Sequence, residues 1–112
     1  MSEWSLEEAI NFANSLHEFV FPLGYGIALT GSVLTKGFSE KDIDLIVYPM
    51  KKISADYKGL LENLPKFGLT FVRLPNKNLG YQDDGKNVQV WEYDGKRVDL
   101  FFLSWLWASI TY

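Results

Sequence analysis

The chain has 112 residues, 47% of them hydrophobic and 22% charged, which suffices for one globular core but not two, so residues 1–112 are expected to form a single domain. A formal net charge of −3, with the basic residues scattered from Lys36 to Arg97, lacks the concentrated positive footprint of an autonomous nucleic-acid binder. The absence of cysteine excludes a disulfide framework, a thiolate nucleophile and a Cys-based zinc site.

Residues 1–8 carry three acids and no base, the wrong sign for a signal or transit peptide. The most apolar stretch, 98–110, is broken by Asp99 and falls short of the ~20 residues of a membrane-spanning helix. A cytoplasmic protein with no membrane segment is the expectation.

Ser5 and Glu8 form a capping-box signature, and Leu6, Ile10, Ala13, His17 and Val20 recur at helical spacing until Pro22 and Gly24, which predicts a helix over 6–20. Residues 26–30 read as a strand ending at Gly31-Ser32, and 42–48 as a second strand closed by Pro49. A second helix is predicted over 55–64, with Tyr57, Leu60, Leu61 and Leu64 on one face and Pro65 and Gly68 beyond its end. Residues 69–74 read as a strand and 75–87 as a long loop.

Residues 88–93 and 96–103 flank Asp94-Gly95, whose chemistry suits a type I′ turn. A two-residue turn sets Tyr93 opposite Lys96, Glu92 opposite Arg97 and Val90 opposite Asp99, and places Arg97, Asp99 and Phe101 on one side of the sheet. A short helix is predicted over 104–110. The order αββαβββα defines an α+β or mixed α/β domain, a small mixed sheet of about five strands flanked by helices.

Gly31-Ser32 directly follows an apolar strand, where a glycine permits close backbone approach and a hydroxyl with exposed N–H groups can receive phosphate oxygens; a solvated turn is the plain alternative. Asp42 and Asp44 open the next strand at positions i and i+2, so they share one face while Ile43 and Leu45 point into the core. Like charges held that close repel, and a divalent cation with hard oxygen ligands relieves the repulsion, magnesium being the usual candidate and calcium or manganese the alternatives. Solvent-facing acids on an edge strand are the alternative. Asp99 interrupts the run Val98, Leu100, Phe101, Phe102, Leu103, and a carboxylate in so apolar a strand needs a metal or an ion pair, the latter with Arg97 or Lys96.

The combination of a strand, Gly31-Ser32, Asp42-x-Asp44 on the next strand and Asp99 on a later one resembles the nucleotidyltransferase superfamily that includes DNA polymerase beta, over roughly residues 6–103. The resemblance implies a nucleotidyltransferase-like fold and a nucleotidyltransferase that moves an NMP from an NTP, with ATP the expected co-substrate, to a hydroxyl acceptor, releasing pyrophosphate. It also implies that Gly31 and Ser32 hold the β- and γ-phosphates, that Asp42 and Asp44 ligate two magnesium ions, and that Asp99 completes the site as third ligand and proton acceptor. Two features depart from the family pattern. Residues 33–41 contain Gly37 and poor helix formers, so the helix that usually follows the Gly-Ser turn is one or two turns at most. Nothing follows Tyr112 to supply a second helical domain, so a minimal catalytic domain is expected. The acceptor would be a partner protein such as a toxin, a small hydroxylated molecule or a nucleic-acid end.

A domain of the same fold that binds nucleotide or partner without turnover is the rival expectation, and a structural interaction module with incidental acids is the third. Among the remaining residues, His17 lacks a second His or Cys and reads as structural. Trp91, Trp105 and Trp107 could stack a nucleobase or anchor a partner but read more simply as core, with Trp105 and Trp107 the better candidates for a homo- or hetero-oligomer interface. Lys36, Lys41 and Arg97 read equally as phosphate contacts or surface charges, and Asp83-Asp84 as turn chemistry.

Overall fold

Ser5 caps the first helix as its spacing from Glu8 requires. In the computed structural model, which describes residues 4–31, 37–39, 42–50, 57–73 and 86–103, the Glu8 N–H donates to Ser5 Oγ and the Ser5 N–H to Glu8 Oε1, each at 3.1 Å. Two of the N–H groups that a helix start leaves without partners are thereby satisfied. The helix, α1, spans Leu6–Val20 and passes into a 3-10 turn at Phe21–Leu23.

Its packed stripe differs from the sequence expectation. Ala9, Phe12, Ala13, Leu16 and Val20 are buried, whereas Ile10 is 42% exposed. The face is centred on Phe12 and Leu16, whose bulk fills the core: the Phe12 ring meets Trp4, Phe67 and Tyr93. His17 serves structure as expected, its Nδ1 accepting the Ile27 N–H at 3.0 Å.

The strands are β1 (Trp4–Ser5), β2 (Tyr25–Thr30), β3 (Phe38–Ser39), β4 (Asp42–Pro49), β5 (Leu69–Arg73), β6 (Lys86–Tyr93) and β7 (Lys96–Leu103). Five of them form one sheet in the order β2-β4-β7-β6-β5, and β1 and β3 form a separate antiparallel pair. The pair is not expected from the sequence; of the stretch 33–41, where a helix of one or two turns at most is expected, residues 33–36 and 40–41 lie outside the described residues. Strand β6 begins at Lys86, so residues 86 and 87 are strand rather than loop, and 75–85 lie outside the described residues.

Helix α2 spans Tyr57–Phe67 and includes Pro65, which had been placed beyond its end. Proline there removes one ladder bond, and ring contacts of Phe67 with Phe12, Phe19 and Tyr93 hold the last turn against the core. Leu60 and Leu64 are buried as expected; Tyr57 is exposed on its outer side but meets Phe102 edge-on at 5.5 Å.

The hairpin of β6 and β7 has the predicted register, with Tyr93 opposite Lys96, Glu92 opposite Arg97 and Val90 opposite Asp99. Asp94 and Gly95 both take positive φ, 53° and 80°, as a type I′ turn demands. Trp91 lies in the core with Ile43, Leu45, Val98 and Leu100, against both helices. Alternation then puts Asp42, Asp44, Arg97 and Asp99 on the other face of the sheet. The helix expected over 104–110, with Trp105 and Trp107, lies outside the described residues, as do Ser32, Lys36, Lys41 and Asp83-Asp84. No helix among the described residues is long and apolar enough to cross a membrane.

Candidate metal centre

The two acid-bearing strands are neighbours. Strand β4 runs parallel to β7, and the register sets Asp44 beside Asp99 and Asp42 beside Arg97. On its other side β4 pairs antiparallel with β2, so it is an interior strand rather than the edge strand of the alternative reading. Its burial alternates strictly, with Ile43, Leu45 and Val47 inward and Asp42 and Asp44 outward and half-buried.

Asp42, Asp44 and Asp99 each bring one carboxylate oxygen within 4.8 Å of the other two. Three hard oxygen donors converging on so small a space suit a divalent cation such as magnesium or manganese, and the donor set contains nothing that favours a softer metal. The Asp44 carboxyl is pushed up to about 6, first by burial and then by the charges of Asp42 and Asp99, against the pull of Arg97. A positive ion at the cluster would reverse that penalty.

Gly31 joins the cluster from β2, whose last residue, Thr30, pairs with Asp44. Its φ is +91°, and a Cβ built on it would lie 2.4 Å from Asp44 Oδ2. The glycine therefore permits both the turn and the close approach of backbone to carboxylate. Sequence reasoning had assigned it to phosphate, and its contact with Asp44 is an additional finding.

Arg97 is the residue whose place the sequence left open. Its Nε donates to Asp99 Oδ1 at 2.9 Å and its Nη2 to Asp99 Oδ2 at 3.2 Å, a two-pronged pair, and Nε also stands 3.5 Å from Asp42 Oδ2. The bond to Asp99 raises the Arg97 guanidinium above its ordinary value. Lys96, the other partner considered for Asp99, pairs with Glu8 and sits 5.0 Å above the Trp4 ring. A cleft of about 320 Å³ lined by Trp4, Glu8, Phe12, Phe67, Tyr93 and Lys96 lies between α1 and the hairpin, and none of the three aspartates lines it.

No protein-family model matches the chain, and no curated protein matches it.

Proposed function

We propose that the chain is a magnesium-dependent nucleotidyltransferase that moves a nucleoside monophosphate from an NTP, with ATP the favoured donor, to a hydroxyl acceptor. The observation that carries this reading is the convergence of Asp42, Asp44 and Asp99 within 4.8 Å on interior strands, beside the glycine turn at Gly31. The resemblance of Gly31-Ser32, Asp42-x-Asp44 and Asp99 to the polymerase beta superfamily supplies the reaction class. A cytoplasmic location belongs to the same proposal.

In this reading the acceptor oxygen bonds to the α-phosphorus, the bond from that phosphorus to the bridging oxygen breaks, and pyrophosphate leaves with the electron pair. Asp99 takes the hydroxyl proton, Asp42 and Asp44 hold divalent cations, and the backbone at Gly31 with Ser32 receives the terminal phosphates. When bound, the divalent ions supply positive charge to the triphosphate and acidify the attacking hydroxyl. Positioning and electrostatics carry the chemistry, so no Ser, His or Cys nucleophile is required.

The Arg97 fork favours a second reading, because it engages both oxygens of Asp99, the group that would accept the proton. A domain fixed in that state would bind nucleotide or a partner without turnover. Incubation with magnesium and α-labelled NTP separates the two. A transferase moves label to an acceptor drawn from partner proteins, small hydroxylated compounds and nucleic-acid 3′ ends, and Asp99→Asn lowers turnover far more than NTP affinity. NTP binding without transfer across that panel would favour the binding domain, and transfer unchanged in Asp99→Asn would refute the assigned role.

A further inference from the structure

Arg97 stands at the centre of a row of acids that crosses three strands. On one side the β4 ladder places Asp42 beside it, and on the other the β6 ladder places Glu92 directly opposite. Residues paired across a ladder project to the same face, so Arg97, Asp42, Asp99 and Glu92 share the sheet surface. Glu92 is exposed and makes no hydrogen bond or ion pair with the described residues. The Arg97 side chain is 38% exposed and that of Asp99 only 12%, so the guanidinium is the member of the pair able to leave. Its backbone is held by the ladders on both sides and by Trp4 Nε1, which donates to the Arg97 carbonyl at 3.0 Å, so any movement is confined to the side chain.

We propose that Arg97 is a two-position counter-ion: it rests on Asp99 and Asp42 while the aspartate cluster lacks a divalent cation, and crosses to Glu92 when a cation takes the cluster. The inference rests on the reading of that cluster as a metal centre. The fork places one hydrogen bond on each oxygen of Asp99, so a cation at Asp99 would share those oxygens with a guanidinium of like charge, and release of a prong would remove that opposition. A guanidinium at 2.9–3.5 Å from these oxygens and a divalent ion on them repel each other. Glu92, one strand away, offers the displaced charge a carboxylate within reach of a long, flexible side chain. In the resting position the arginine keeps three like charges together without metal; in the other it exposes Asp99 for coordination and proton transfer. The device also reconciles the fork with the catalytic role proposed for Asp99.

Manganese affinity, read by electron paramagnetic resonance on the whole chain, tests the exchange in wild type, Arg97→Met, Glu92→Gln, the double variant and Asp44→Asn. Arg97→Met should tighten manganese binding by about tenfold, because the competing charge-assisted pair is gone. Glu92→Gln should weaken binding in the wild type and lose most of that effect in the Arg97→Met background, since its role runs through the arginine. Unchanged or weaker binding in Arg97→Met would overturn the competition, and an equal effect of Glu92→Gln in both backgrounds would overturn the second resting position. Binding that is absent from every protein, or untouched by Asp44→Asn, would instead overturn the metal centre itself. Should Arg97→Met fail to fold, the wild-type Arg97 Nε–H resonance followed during magnesium titration decides the matter: it must shift as the cluster fills, and a fixed resonance at saturation refutes the exchange.

Discussion

Gly31 and Asp44 are in near-contact across the β2–β4 ladder, with the site of a Cβ on Gly31 only 2.4 Å from Asp44 Oδ2. The turn and the carboxylate are thus one unit, and a side chain at Gly31 would disturb both. Gly31→Ala should cost about 1–2 kcal/mol of stability, because an L-residue is strained at positive φ. It should also displace the Asp44 carboxylate and lower magnesium affinity. Thermal melts and calorimetry check the two effects, and an alanine variant with wild-type stability and affinity would contradict the contact.

Asp44 should make the metal-free protein less stable as pH rises. Its carboxyl titrates near 6 in the folded chain against about 3.8 when unfolded. The folded state binds the proton more tightly, so this contribution is fully present below about pH 3.8 and is lost as pH rises through 6. In a chelator, Asp44→Asn should therefore match the wild type at low pH and exceed its melting temperature above pH 6. A variant less stable than wild type at pH 7.5 would mark Asp44 as a structural ligand of Arg97 instead.

Gln89 should prove a structural residue despite its polarity. It is buried, accepts the Trp91 Nε1–H at 2.9 Å and donates to the Tyr57 hydroxyl at 3.2 Å, joining β6 to α2. Gln89→Ala leaves the buried indole N–H without its acceptor and should cost about 1–3 kcal/mol in chemical denaturation. The aspartate face lies across the sheet, so manganese affinity should stay at the wild-type value. A large loss of affinity would show that the two faces are coupled.

What was legible in the sequence was what short-range chemistry specifies. Ser5 and Glu8 mark a helix start because a capping box is made within four residues. Asp94-Gly95 fixes the β6–β7 register because only a few residue types tolerate positive φ at both turn positions. Asp42 and Asp44 share a face because strand alternation admits no other arrangement. The parallel pairing of β4 with β7, which sets Asp44 beside Asp99, joins segments more than 50 residues apart, and no local signal encodes it. No local signal encodes the pairing of β1 with β3 either, nor the contact of Phe67 with Phe12, which retains Pro65 inside a helix. At Asp99 the sequence offered an ion pair or a metal as alternatives. The geometry realises the ion pair with Arg97 while also bringing Asp99 to the other two acids, because i and i+2 on one strand and two neighbouring strands meet at the same place.

The most direct test of the metal centre is anomalous diffraction from crystals grown with manganese and a non-hydrolysable NTP. The account predicts manganese peaks at coordination distance, roughly 2.0–2.2 Å for a small hard cation, from oxygens of Asp42 and Asp44, with the triphosphate directed at Gly31. Manganese absent from the three aspartates while the nucleotide is bound elsewhere, and Arg97 still forked on Asp99, would contradict it.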